Sequence, residues 1–256
     1  MTLTAIRARS LSEQVFEQLA SAIVTGKYPP GSTLQAERTL TGVFGVNRHV
    51  VREALKRLEQ VGLVKVSQGG GTRVMDFRKT AGLDLLALMS EHARGGYDVA
   101  QIWLAVLEMR AAIGADVARL CALRASPALK NEILILAQQM ATTKDDEVLY
   151  ELEIKFWELV ADGADNIAYR LSLNSLLKSG RARGHDAKSW ALEDLKRTEF
   201  RLPVARAIHA GDAVAAEAAM RSAMRQGVEF LTAILANARA SGTIEKAAAS
   251  GTDPAP

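Results

Sequence analysis

Five basic side chains share one short stretch, four of them on one side. In RHVVREALKRLEQV, residues 48–61, Val51, Ala54, Leu55 and Leu58 recur at the spacing of one buried helix face. Arg48, His49, Arg52 and Lys56 fall off that face, toward its N-terminal end. A second helix with cations at its N-terminal end is the arrangement that meets a DNA major groove. Just downstream, Ser67-Gln68-Gly69-Gly70-Gly71 separates two short apolar runs. Glycines without a Cβ let such a turn approach a phosphate backbone or minor groove closely. A phosphate-cradling enzyme loop would need GxGxxG before a helix or GxxxxGK[ST], and neither occurs. No Ser/His/Asp or Cys/His set stands in an elbow or strand context, so the chain is expected not to be an enzyme.

The flanking residues predict the elements that hold these groups. Ser10-Leu11-Ser12-Glu13 offers an N-cap, and Val15, Leu19, Ala22 and Ile23 line one face, giving a first helix to about Thr25. Gly26 ends it, and Pro29-Pro30-Gly31 makes a rigid turn. Gln35-Ala36-Glu37-Arg38 opens a short helix carrying Leu40, Val43 and Phe44, closed by Gly45-Val46-Asn47. The helix from Arg48 to Val61 follows at once. Leu63–Val66 and Thr72–Met75 alternate around the glycine turn as a hairpin. Residues 1–75 therefore read as a winged helix-turn-helix.

Charge divides along the same line. Of the net +3, residues 1–78 hold 11 Lys/Arg against 6 Asp/Glu, and residues 79–256 hold 21 against 23. Such asymmetry marks a nucleic-acid-binding end joined to a differently employed domain. The whole chain of 256 residues is 48% apolar and only 5% aromatic, as in helical proteins built on Ala and Leu. Residues 76–82 break the pattern as a linker. Helical periodicity then runs over 83–238 as six or seven helices, the last capped by Asp212 and reaching about Leu235. The expected fold is mainly α, a winged helix-turn-helix followed by an all-α bundle. Residues 239–256 are small, polar and Pro-containing, and read as a disordered tail. Cys121 alone excludes a disulfide framework and suits a reducing cytoplasm, and no run of 18 apolar residues suggests a membrane partner.

The stretch YPPGSTLQAERTLTGVFGVNRHVVREALKRLEQVGLVKVSQGGGTRV resembles the DNA-binding domain of GntR-family bacterial transcription regulators. Its anchors are PPG, L-x-x-E-R-x-L, G-V-S/T-R-x-x-V-R-E-A-L-x-x-L, then G-L and a glycine-containing wing. The resemblance implies double-stranded DNA as partner, a palindromic operator bound by a homodimer. It implies DNA contacts by Arg38, Arg48 and Arg52, whose planar forks suit a guanine edge or a phosphate. Asn47 and His49 flank Arg48 where relatives carry Ser, Thr or another polar residue, and Gln68 and Gly69 match the wing tip. Arg38 has an alternative, an ion pair with Glu37 or Glu53.

The all-helical second half resembles the FadR subgroup through VLEMRAAIGADVA, LEIKFWELVADGADN and ARAIHAGDAVAAEAAMRSAM. Many members bind a divalent metal through one Asp and three His, but the matching positions here hold Glu153, Trp157, Arg201 and Ala223. Trp, Arg and Ala supply no imidazole, so no metal and no other cofactor is expected. The resemblance leans to the metal-free branch, which senses long-chain acyl-CoA or fatty acid. Phe156 and Trp157 would line an acyl tunnel or simply pack the core. Arg110, Arg181 and Arg201 would hold an anionic head group, and Glu153 counts among the effector-binding residues. The alternative effector is a small carboxylate or sugar acid.

Overall fold

The computed structural model describes residues 10–67, 70–91, 99–181 and 201–240. The chain divides into two compact units, Met1–Asp98 and Val99–Pro256. In the first, α1 (Leu11–Val24), α2 (Glu37–Phe44) and α3 (Arg48–Gln60) precede a hairpin of β1 (Val64–Ser67) and β2 (Gly71–Val74). Each boundary has a local cause. Ser10 Oγ accepts from Glu13 N–H at 3.2 Å, a cap worth about 1 kcal/mol. Gly45 closes α2 in the left-handed region, and Asn47 Oδ1 caps α3 by accepting from Val50 N–H at 3.0 Å. Val15, Phe16, Leu19, Leu40, Val51, Leu55 and Leu58 form the core between the three helices.

Across that core, Arg57 donates to both Glu13 oxygens at 2.6 and 2.8 Å, and its guanidinium lies 4.3 Å from the Phe16 ring centre. The clamp ties the start of α1 to the end of α3. At the exit from α3, Gly62 adopts φ +77°, and a Cβ there would stand 2.5 Å from the Thr80 carbonyl oxygen. Only glycine fits. The hairpin is antiparallel, pairing Val64 with Val74 and Lys65 with Arg73. Residues 31–34 run along its other edge, where Leu34 N–H donates to Thr72 O and Val74 N–H to Ser32 O, both at 2.8 Å.

Residues 76–82, read from the sequence as a linker, contain the one-turn helix α4 (Phe77–Thr80), which returns to the hairpin base through Thr80 Oγ1 and Gly62 O at 2.7 Å. Helix α5 (Leu85–Glu91) packs on α1, so the division into compact units falls after Asp98.

The second unit is built, among the described residues, from α6 (Val99–Arg124), α7 (Pro127–Thr142), α8 (Asp146–Gly163), α9 (Ile167–Arg181), α10 (Arg201–Ala210) and α11 (Ala213–Ala240). Ser126 with Pro127 starts α7, and Asp145 starts α8 by accepting from Glu147 and Val148 N–H. Asp212 caps α11, which runs to Ala240, past the expected end near Leu235. Helices α6 and α11 make the longest contact, with α8 and α10 also against α6. One core cluster includes Ile133, Met140, Phe156, Val160, Ile208 and Met220. Buried Cys121 lies where α6 meets α8, and a Cβ on Gly163 would stand 2.5 Å from its Sγ. No described helix is long and apolar enough to cross a membrane. The tail read as disordered lies, from residue 241 on, outside the described residues.

Candidate nucleic-acid interface and a buried ionic cluster

The tight turn between α2 and α3 brings the first unit's cations together. Arg38 is the second residue of α2, and Arg48 and His49 are the first two of α3; all three are exposed. Arg52 stands one turn further, its side chain 66% exposed, with Nε 3.3 Å from Glu37 Oε2 and 3.4 Å from Glu37 Oε1. Asn47, exposed beside them, spends its side-chain oxygen on the α3 cap. Gln68 and Gly69, the expected wing tip, lie outside the described residues.

Both carboxylates considered for Arg38 are engaged elsewhere. Glu37 faces Arg52, and Glu53 takes Lys56 at 3.0 Å. Adjacent helix residues do not face each other, which is why Glu37 reaches across the turn instead of to its neighbour. The Lys56 hydrogen bond and charge hold the Glu53 carboxyl below its ordinary value, with a smaller contribution from His49. Sequence reasoning missed Glu37 as a member of this face. Its signal was an acid immediately preceding Arg38, at the first position of α2. Lys65 and Arg73, opposite each other on the hairpin and both exposed, extend the basic surface toward the wing.

In the second unit, the positions singled out on α8 and α10 meet. Arg201 Nε donates to Glu153 Oε2 and Arg201 Nη2 to Glu153 Oε1, each at 2.6 Å. Trp157 Nε1, one turn along α8, donates to Oε1 at 2.8 Å. From α6, Arg110 Nη2 stands 3.9 Å from the same oxygen, and its guanidinium lies 4.7 Å from the Trp157 ring centre. Trp157 reaches this place beside Gly114, where a Cβ would meet its Cη2 at 3.2 Å. Glu153 and Arg201 are both buried. Burial alone would raise the Glu153 carboxyl, but the charge and hydrogen bonds of Arg201, the charge of Arg110 and the Trp157 N–H together hold it below its ordinary value.

This donor set does not fit a divalent cation. Both Glu153 oxygens are taken by a guanidinium, Trp157 and Ala223 offer no ligand atom, and no group of three His, Cys, Asp or Glu converges among the described residues. Phe156 is fully buried in the bundle core. Arg181 is the last residue of α9, and its side chain lies outside the described set.

Residues 11–74 match the family described as bacterial regulatory proteins, gntR family, and residues 105–226 match the FCD domain. The HTH-type transcriptional regulator Mce2R of Mycobacterium tuberculosis is 36% identical over 236 residues, covering 92% of this chain and 97% of that protein. A fatty acid metabolism regulator protein of Proteus mirabilis is 31% identical over 173 residues, 67% of this chain and 70% of its own length. Its counterpart in Pectobacterium atrosepticum is 33% identical over 172 residues, again 67% and 70%. A solved structure described as "Lar controls the expression of the Listeria monocytogenes agr system and mediates virulence" shares the fold, with TM-score 0.59 at 15% identity over 89% of this chain and 99% of that one.

Proposed function

The chain belongs to the GntR family of bacterial regulatory proteins, as a DNA-binding transcription regulator with an FCD ligand-binding domain, and from that premise we propose how it reads DNA and what it senses. Arg38, Asn47, Arg48, His49 and Arg52, with Gln68 and Gly69 of the wing, contact the operator. Two subunits dock one α3 each into the half-sites of a palindrome. The observation that carries this reading is the clustering of three exposed arginines around one tight turn. A face of that kind takes guanine edges and phosphates.

The helical unit holds the effector, a long-chain acyl-CoA or fatty acid. Support comes from relatives named as fatty acid metabolism regulators and from Arg110. Its side chain is 21% exposed, and its guanidinium lies against Trp157 at the edge of an apolar core. An incoming carboxylate or phosphate would meet that cation, with Trp157 beside the acyl chain. Arg110 equally suits the second reading, a small carboxylate or sugar acid. Gel shift on DNA from upstream of the chain's own gene separates the two. Release by long-chain acyl-CoA or fatty acid, and not by free CoA or small organic acids, is the expected outcome. Binding that ignores acyl chains and yields to a small carboxylate replaces the lipid reading with the second.

A further inference from the structure

We propose that Glu37 is a positioning residue for DNA recognition: its carboxylate holds the Arg52 guanidinium from the side, and sequence discrimination by this regulator depends on that hold. The inference rests on the reading above that Arg52 reaches DNA.

Three observations carry it. The contact is made across the turn, from the first residue of α2 to the second turn of α3, and both Glu37 oxygens approach the same atom, Arg52 Nε, at 3.3 and 3.4 Å. Nε lies on the flank of the guanidinium. The Nη1/Nη2 end is the edge that matches guanine O6 and N7. Glu37 is also the less exposed partner, 33% against 66% for Arg52, so the acid is the more sheltered of the two and most of the arginine side chain faces solvent. The third observation is electrostatic. Glu37 is the only acid in α2, and it stands among Arg38, Arg48 and Arg52 on a surface read as facing a polyanion.

By Coulomb repulsion alone such a carboxylate weakens binding to every DNA. Its compensation is geometric. A long side chain loses rotamer freedom when it docks, and a fork already held in one orientation loses less. That gain is realised only at a sequence that presents the matching base edge. The two effects therefore have opposite signs on different DNAs. Removing Glu37 relieves repulsion everywhere and loosens recognition only at the cognate site.

The test uses the full chain, a duplex that the wild-type protein selects from a random-sequence pool, and a scrambled duplex of the same composition. Glu37→Gln keeps the size and deletes the charge. The expected result is about tenfold weaker binding to the selected duplex, with unchanged or tighter binding to the scrambled one and an unchanged thermal midpoint. In an Arg52→Ala background the same substitution should bring no further weakening on the selected duplex, only unchanged or tighter binding. Glu37→Asp, which keeps the charge on a shorter arm, should fall between. Selected-duplex binding by Glu37→Gln as tight as wild type, while Arg52→Ala loses it, overturns the proposal and spares the assignment of Arg52. Equal weakening on both duplexes overturns it as well. Wild-type binding by Arg52→Ala instead removes the DNA contact on which the proposal stands.

Discussion

Arginine does two different kinds of work in the two units. Arg52 is two-thirds exposed and meets its carboxylate through one nitrogen at 3.3 Å; Arg201 is 7% exposed and grips Glu153 through two bonds of 2.6 Å. In water the first pair contributes little to folding, because solvent screens it and both chains keep alternative rotamers. Inside the bundle the second pair cannot be dissolved cheaply, since a lone charge would be left without water. Around the α2–α3 turn the first unit leaves its arginines exposed to solvent. The other uses a buried one to bridge α10 and α8.

The sharpest way to break this contrast is to remove Arg201. Arg201→Ala should cost about 3–5 kcal/mol in urea unfolding, because it strands the Glu153 carboxylate in the core. Replacing both members, as in Glu153→Leu with Arg201→Met, should restore much of that loss. Acid offers an independent check of the same pair. Because the folded-state carboxyl lies below its unfolded value, its stabilisation is complete above the unfolded pKa and is lost as pH falls through the lowered one. The urea midpoint should drop through that acidic window in the wild type, and drop less in the double variant.

Arg48→Ala inverts the pattern. Operator affinity should fall by about 1–3 kcal/mol in an anisotropy titration while the thermal midpoint stays put. A shifted midpoint would place Arg48 in the fold instead of on the DNA face. Between the extremes lies the Arg57–Glu13 clamp, whose partners are each about one-third exposed. Glu13→Gln should cost about 1 kcal/mol or less, and a loss comparable to Arg201→Ala would erase the distinction between screened and buried pairs.

The helix-turn-helix was readable because local residues punctuate it. Ser10, Gly45 and Asn47 act within four positions of their own helix ends. Amphipathic spacing identified the buried face of α3, but an eight-residue helix has too few turns to reveal its inward side. Of Leu40, Val43 and Phe44 on α2 only Leu40 is buried, and Val43 is 63% exposed. Pairings were illegible for a different reason. Glu37 meets Arg52 across 15 residues, Glu13 meets Arg57 across 44 and Glu153 meets Arg201 across 48, and no periodicity encodes a contact between helices that far apart. Glu153 and Arg201 were each singled out from the sequence, as separate neighbours of a ligand. That they bond to each other follows only from the three-dimensional packing of the bundle, which sets both helices beside α6.

The close seat of Cys121 against Gly163 makes the bundle its own clock. Burial pushes this thiol up to about 12, so in the closed bundle it carries almost no thiolate for an alkylating reagent to attack. Since the chain has no other cysteine, its labelling rate reports how often the structure around it opens. A compound that tightens the helical unit would then be recognised by slowing the reaction, before any DNA is added.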